Sequence, residues 1–431
     1  VEDERFFIPP DKREDRRHQT GVDDQRTPFQ RDRDRILYSS AFRRLAGITQ
    51  IARAGEADVF HTRLAHTLKV AQVGRRIAEN IIRTQPEEAA AVGVDPEVTE
   101  AACLAHDLGH PPFGHHGEHV LNDCVTRAGD TDGYEGNAQS LRVLTQLSVR
   151  YEDCKGLNLT RATLAGCIKY PWIRTADHPL KAKKWGYYST EQDDFSFARD
   201  NSTSETKTAE AELMDWADDI AYSVHDLEDF HRCRLIPWRE VLSFDGRDRL
   251  LAGMKLLPEG EKKPLAAAHR RLRKLVEGTV GDLLDQPYDA TREQRRAIRL
   301  ITSTLIGRYV TSIKLSVPSE PGGHCVSIDA AVQAEVTLLK QIAREFILKR
   351  PALAAQQRGQ GRILSDLFDD LFALGSEAYL PERFADLFSP GVSRPRCVAD
   401  CIASLTEKEA VALHGRLRGL DSGSVLDPIV R

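Results

Sequence analysis

The chain has 431 residues, 41% of them hydrophobic plus 29 glycines, an ordinary globular composition that excludes global disorder and a collagen-like fibre. At roughly 100–200 residues per domain, this length allows about two to four domains or one large irregular one. With 60 Lys+Arg against 65 Asp+Glu the net charge is −5, so the whole molecule lacks the basic signature of a dedicated nucleic-acid binder. No run reaches the about 18 apolar residues of a membrane span, and Val1 to Arg17 is charged, so a soluble, unsecreted, cytoplasmic protein is expected. The cysteines, at 103, 124, 154, 167, 233, 325, 397 and 401, include no CxxC pair, which argues against a zinc ribbon and a small disulfide framework.

Helical periodicity dominates, so a mainly α fold is expected. In chain order it predicts helices over Asp34–Leu45, Arg63–Thr84, Pro96–Ala105, Ala138–Leu147, Glu210–His231, Leu265–Leu284, Thr291–Val310, Ala330–Leu348, Gly361–Leu374 and Arg394–Leu405. Thr126–Gly136, rich in Asp and Gly, and the polar Ser189–Thr208 read as mobile loops or lids. Lys314–Ile328, with its Gly-Gly pair, reads as a small hairpin. A change of character near residue 235 suggests a catalytic core with an N-terminal arm over 1–235, followed by a helical region over 236–431 that packs on the core and enters subunit contacts.

Five of the 14 histidines, at 106, 110, 115, 116 and 119, fall within the window His106-Asp-Leu-Gly-His-Pro-Pro-Phe-Gly-His-His-Gly-Glu-His119. The His106-Asp107 pair offers one borderline nitrogen and one hard oxygen, donors suited to Mg, Mn, Fe or Zn. A third candidate ligand is His66, near the start of an amphipathic helix, and a fourth lies in Asp218-Asp219. Ligands of this kind without cysteine leave positions for water and substrate, as a catalytic metal site requires. Asp218, Tyr222 and Asp226 fall at i, i+4 and i+8 of one helix, on a single face.

The sequence resembles the HD superfamily of metal-dependent phosphohydrolases, and within it the bacterial deoxyguanosine triphosphate triphosphohydrolase family. The resemblance rests on Phe29-Gln-Arg-Asp-Arg-Asp-Arg-Ile36, Ala41-Phe-Arg-Arg-Leu45, Thr49-Gln-Ile51, His61-Thr-Arg-Leu-Ala-His66, the His106–Glu118 block, Glu135-Gly-Asn-Ala-Gln139, Lys169-Tyr-Pro-Trp172 and Ala217-Asp-Asp-Ile-Ala-Tyr222. The second half is less specific, with Arg396–Thr406 as its best match. At Ile48-Thr-Gln50 the chain departs from the family's Lys-Thr-Gln, so one positive charge near the expected pocket is missing.

The resemblance implies an HD-type helical core with additional C-terminal helices, and the metal ligands His66, His106, Asp107 and Asp218. It implies a divalent ion, Mg or Mn first, with Fe, Co, Ni or Zn as alternatives. His115, Glu118 and Asp107 would be catalytic. His115 and Glu118, three residues apart, share one side of a helical turn, so the carboxylate can orient the imidazole as proton donor to the leaving 5′-oxygen. Arg63, Lys169 and Lys184 would clamp the triphosphate, His110 and Asn137 would face the reacting phosphate, and Tyr170 would line the substrate. Tyr222 would lie along the deoxyribose, Asp226 would accept from its 3′-hydroxyl, and Gln50 would meet the base edge.

The implied reaction is hydrolysis of deoxynucleoside triphosphates, dGTP first, to deoxynucleoside and inorganic triphosphate. A homo-oligomer, with a hexamer favoured, an activating nucleotide and single-stranded DNA are the partners to be considered. Two other readings compete: another HD phosphohydrolase, such as a 5′-nucleotidase or phosphodiesterase, or a nucleotide sensor or single-stranded nucleic-acid binder. For the last, the basic stretches from Lys262 to Lys274 and Arg292 to Arg299 would follow phosphates.

Overall fold

The computed structural model describes residues 7–19, 24–50, 62–254, 259–281, 283, 286–318, 323–373, 384 and 393–421. Ile51 and His61, and the expected helix ends at Leu284 and Leu374, lie outside them. The protein is mainly α-helical, and the sheet structure among the described residues is one antiparallel pair, Ile313–Leu315 with Val326–Ile328. This pair is the hairpin expected from Lys314–Ile328. No helix among the described residues is long and apolar enough to cross a membrane.

The helices that position the site are α1 (Pro28–Leu37), α2 (Arg63–Thr84), α3 (Pro96–Ala105), α4 (Gly114–Arg127), α5 (Gly136–Arg142), α6 (Arg161–Gly166) and α7 (Ala209–Arg232). The second half supplies α8 (Glu259–Val280), α9 (Arg292–Val310), α10 (Ala330–Ala343), α11 (Pro351–Phe372), α12 (Arg394–Ala403) and α13 (Glu407–Leu417). Local chemistry sets their starts. Thr62 caps α2 by accepting from Ala65 N, Thr208 caps α7 by accepting from Ala211 N, and Asp95 accepts from two amides of α3 with Pro96 at its first position.

One apolar core runs through α1, α2, α3 and α7 and on into α8, α9 and α10, so it crosses residue 235 without a break. A second cluster joins the buried side of α4, through Leu121, Cys124 and Val125, to α11, α12 and α13.

Four expectations about local structure are corrected. The helix expected over Asp34–Leu45 is two helices, because Ser39 turns extended (ψ 150°) and caps a second, Ser40–Arg44. Helix α11 begins ten residues before Gly361, at Pro351, whose fixed φ suits a first turn. Thr126–Gly136 is anchored rather than lid-like: Tyr134 is buried, its hydroxyl donates to Gly109 O at 2.8 Å, and its amide donates to Asn122. Ser189–Thr208 contains the helix Gln192–Ala198, with Phe195 in the core and a buried Arg199 donating to the carbonyls of Ser204 and Thr206.

Helices α2, α3 and α7 meet at Gly74. A Cβ built there would lie 2.4 Å from Cys103 Sγ and 3.5 Å from Ala217 Cβ. Helix propensity alone favours Gly→Ala by about 1 kcal/mol, whereas overpacking costs roughly 1–3 kcal/mol. Gly74→Ala is therefore expected to lower the thermal midpoint, and Gly74→Ala/Cys103→Ala to recover most of the loss. Scanning calorimetry of the two variants checks this, and a stabilised single variant contradicts it.

Candidate metal centre and adjoining histidine–glutamate pair

His66 sits one turn into α2, His106 and Asp107 directly follow α3, and Asp218 lies mid-way along α7. The close approach at Gly74 converges these elements. His66 Nε2 lies 3.1 Å and His106 Nε2 3.7 Å from Asp218 Oδ1, and one donor atom from each residue falls within 4.8 Å of the others. His106 Nδ1 donates to Cys103 O at 2.6 Å, which fixes the tautomer and leaves a lone pair on Nε2, a buried atom without a hydrogen-bond partner among the described residues. Two imidazoles and a carboxylate in this arrangement fit a divalent ion.

Asp107 stands beside this trio, its Oδ1 3.5 Å from His106 Nε2. Its Oδ2 accepts from Arg63 Nη1 at 2.8 Å, and its Oδ1 faces His110 Nδ1 at 3.0 Å. Burial would push the Asp107 carboxyl up, but Arg63, His106 and His110 together hold it well below the usual carboxylate range. Burial and the charge on Arg63 depress His110 to about 4, so its ring is neutral near pH 7. Asp218 is likewise held low against burial, by Lys169 and the two histidines.

The segment between the clusters depends on unusual backbone. Pro111-Pro112 follow His110, and then Phe113 (φ 68°) and Gly114 (φ 59°) turn left-handed to start α4. A side chain at Gly117 would meet Pro112 O at 2.0 Å, and one at Gly109 would meet Gly136 O at 2.1 Å. Arg44 fastens the turn by donating to Leu108 O and His110 O at 2.8 and 2.7 Å.

This turn delivers His115 and Glu118. His115 Nδ1 lies 3.2 Å from Glu118 Oε2 and 3.3 Å from His110 Nε2. Glu118 is buried while the His115 side chain is 65% exposed. Lys184 Nζ donates at 2.8 Å to both Glu118 Oε1 and Glu135 Oε1, and Asn137 Nδ2 donates to Glu135 Oε1 at 2.9 Å. Burial raises Glu118, but His115 and Lys184 bring it well below its ordinary value. Glu135 is raised by burial and by Glu118, against the pull of Lys184.

The remaining expected residues divide into those in this network and those beside it. Arg63 is 2% exposed, with Nε and Nη2 buried and lacking hydrogen-bond partners among the described residues. Lys169 pairs with Asp215 at 2.8 Å and Asp218 at 3.3 Å. Tyr170 follows it, 5.6 Å from the Trp172 ring, and the Trp172 indole donates to Lys184 O, tying the two lysine loops together. Along α7, Tyr222 is half-buried and Asp226 is buried with Oδ2 unpartnered among the described residues; burial and Asp229 raise the Asp226 carboxyl, with Lys69 opposing. Gln50 follows the Thr49–Thr62 bridge that opens α2, with Oε1 buried and without a partner among the described residues, and Ile48, in place of the family's lysine, is fully buried. Asp219 turns away to pair with Lys340.

Sequence reasoning missed Glu135 and Asp215, the carboxylates that hold Lys184 and Lys169. Glu135 stood in a quoted motif, Glu135-Gly-Asn-Ala-Gln139, where its capping of α5 was the available signal.

Residues 63–222 match the HD domain and residues 326–416 the phosphohydrolase-associated domain. The chain is 37% identical to the deoxyguanosinetriphosphate triphosphohydrolase-like protein of Streptomyces coelicolor, over 96% of each chain. Proteins of the same name from Bifidobacterium longum (37% identity, 91% of this chain and 83% of that one) and Corynebacterium efficiens (35% identity, 92% of each) are also similar. The chain belongs to the deoxyguanosinetriphosphate triphosphohydrolase-like family of HD-domain phosphohydrolases. As a member of this family it is a hydrolase that uses a divalent metal, and its His66, His106 and Asp218 donors fit one.

Removing the carboxylate charge from this family member's trio, in Asp218→Asn, is expected to weaken manganese binding by at least roughly tenfold, the usual scale for disturbed metal sites. Equilibrium dialysis against Mn2+ checks this. Retained affinity would exclude Asp218 as a ligand.

Proposed function

We propose that the protein hydrolyses deoxynucleoside triphosphates, dGTP foremost, to deoxynucleoside and inorganic triphosphate by attack of water at the α-phosphorus. The observation that carries this reading is the direct junction of the two clusters through Asp107 and His110. A metal-fitting trio thereby adjoins a histidine–glutamate pair through separations of 3.5, 3.0, 3.3 and 3.2 Å.

His66, His106, Asp107 and Asp218 would hold the ion, Mg or Mn first. When bound, it supplies Lewis-acid polarisation of a phosphoryl oxygen and lowers the pKa of a water. The chain's own groups do the rest. His115, with Nδ1 held by Glu118, has Nε2 free to give a proton to the 5′-oxygen as the bond to phosphorus breaks, so the nucleoside leaves as an alcohol. Asp107 aims Arg63 by accepting from its Nη1, and the Nε and Nη2 of Arg63, without a partner among the described residues, are donors for phosphate oxygens.

Lys169 and Lys184 add positive charge along the triphosphate, Lys184 anchored by Glu135 and Glu118. His110 and Asn137 border the reacting phosphate, with Tyr170 alongside. On α7, Tyr222 walls the sugar against a 2′-hydroxyl, and the unpartnered Asp226 Oδ2 takes the 3′-hydroxyl. Gln50 Oε1 takes a donor from the base edge. With this reading goes a cytoplasmic homo-oligomer, with a hexamer favoured, and a second nucleotide or single-stranded DNA is the activator to be tested.

The test is incubation with Mg2+ or Mn2+ and each deoxynucleoside triphosphate, singly and mixed, with a chelator control and chromatography of the products. Deoxynucleoside and intact triphosphate, lost with chelator, are expected. Orthophosphate or pyrophosphate instead would move the protein to another HD phosphohydrolase activity, and binding without turnover to a sensor. His115→Ala should lower kcat by roughly 10²–10⁴-fold while leaving KM nearly unchanged. A variant with full kcat would remove His115 from the chemistry.

A further inference from the structure

His110 Nε2, His115 Nδ1 and Glu118 Oε2 form a triangle with sides of 3.2, 3.3 and 3.7 Å. Zinc bound tetrahedrally at about 2.0–2.2 Å separates its nitrogen and carboxylate ligands by roughly 3.3–3.6 Å. The triangle is therefore close to one face of a zinc tetrahedron, with its 3.2 and 3.7 Å sides just outside that range.

Its surroundings fit the same ion. Lys184 occupies Glu118 Oε1, so the carboxylate offers Oε2 alone. The other nitrogen of His110 faces Asp107 Oδ1 at 3.0 Å, the carboxylate–histidine pairing that orients metal-bound imidazoles. Gly136 leaves the adjoining wall without a side chain; a Cβ there would lie 3.2 Å from Glu118 Oε2 and 3.5 Å from His110 Cε1. The exposed face of His115 opens the fourth corner to solvent.

We propose that His110, His115 and Glu118 form a second, inhibitory metal site that takes Zn2+ in preference to Mg2+. Two borderline imidazoles with one hard carboxylate oxygen suit zinc, whereas Mg2+ demands an octahedron of oxygens. An ion on this triangle occupies the Nδ1 that Glu118 otherwise holds, so His115 cannot form the imidazolium that gives up its Nε2 proton. The inhibitory consequence rests on the proposed reaction; the binding does not. Lys184 sets the affinity, since its ammonium stands 2.8 Å from the same carboxylate and repels an incoming cation.

The test is a zinc titration of the manganese-loaded protein by calorimetry, repeated with Co2+ by visible spectroscopy. A saturable zinc event distinct from the HD-site ion is expected, with the intense absorption of tetrahedral cobalt. That event should survive Asp218→Asn, weaken roughly 100-fold in His115→Ala and Glu118→Gln, and tighten in Lys184→Met. His115 is exposed, so its variant should fold, which a thermal melt verifies. Zinc uptake unchanged in both His115→Ala and Glu118→Gln, or weakened by Lys184→Met, would overturn the site. Zinc bound at the triangle without loss of wild-type turnover would overturn its inhibitory role. A protein that binds zinc as described but turns over no nucleotide would overturn the proposed reaction and leave the site standing.

Discussion

The absence of a side chain at Gly74 is the constraint on which the rest of the site depends. The proposed metal ligands come from α2, from the residues directly after α3 and from α7, and these elements approach closely where Gly74, Cys103 and Ala217 are the small residues at the contact. The approach costs helix propensity at Gly74 and returns it as geometry: His66 two turns before it on α2, His106 one turn beyond Cys103, and Asp218 next to Ala217. The same device recurs at Gly109 and Gly117, where backbone lies against backbone and the His110-Pro-Pro-Phe113 turn is pressed between α4 and α5. The left-handed φ of Phe113, a residue that gains nothing from that conformation, marks where local preference gives way to the position of His115.

Six carboxylates around this framework, four buried and two partly exposed, divide by their partners. Asp107, Asp218 and Glu118 each face cations or imidazoles and are held low against burial. Glu135, Asp219 and Asp226 are raised, because burial and neighbouring carboxylates outweigh the cations they meet. The first set is where the proposed metal ion and the proposed proton donor call for fixed negative charge. Of the second set, Glu135 serves as a cap and as a lysine anchor, and Asp226 keeps an oxygen unpartnered on the face of α7 that carries Tyr222 and Asp218.

The helical class, the antiparallel pair and the crowding of the His106–Glu118 block were legible in the sequence, because each follows from something local, in periodicity, alternation or one motif; His66 and Asp218 came as ligands from the family resemblance. What was not legible depends on long-range partners. Thr126–Gly136 and Ser189–Thr208 have the composition of free loops, but their polar groups are consumed by Asn122, Gly109 O and neighbouring carbonyls. Lys169 and Lys184 read as free phosphate clamps, whereas Asp215 and Glu135, 46 and 49 residues away in sequence, hold them in place. Arg63 could be placed beside His66 by helical spacing, but its pairing with Asp107 needed the turn after α3.

The C-terminal helices contribute none of the proposed site residues, yet they hold the turn that carries the site. Asp400 on α12 accepts from Gln139 and Arg142, fixing α5, and Arg142 also binds Glu191. Glu407, at the start of α13, accepts from Thr49 N and Oγ1 at 2.7 Å each and from Phe113 N at 3.3 Å. One carboxylate thus joins the strand-like entry to α2 with the strained turn before α4, the two places where the metal trio and the His115–Glu118 pair begin. A buried charge accepting several backbone and hydroxyl donors is satisfied only when all of them are in place. The register between the two clusters is therefore set from the second half of the chain, which is a physical reason for the phosphohydrolase-associated region at 326–416 to accompany the HD domain at 63–222.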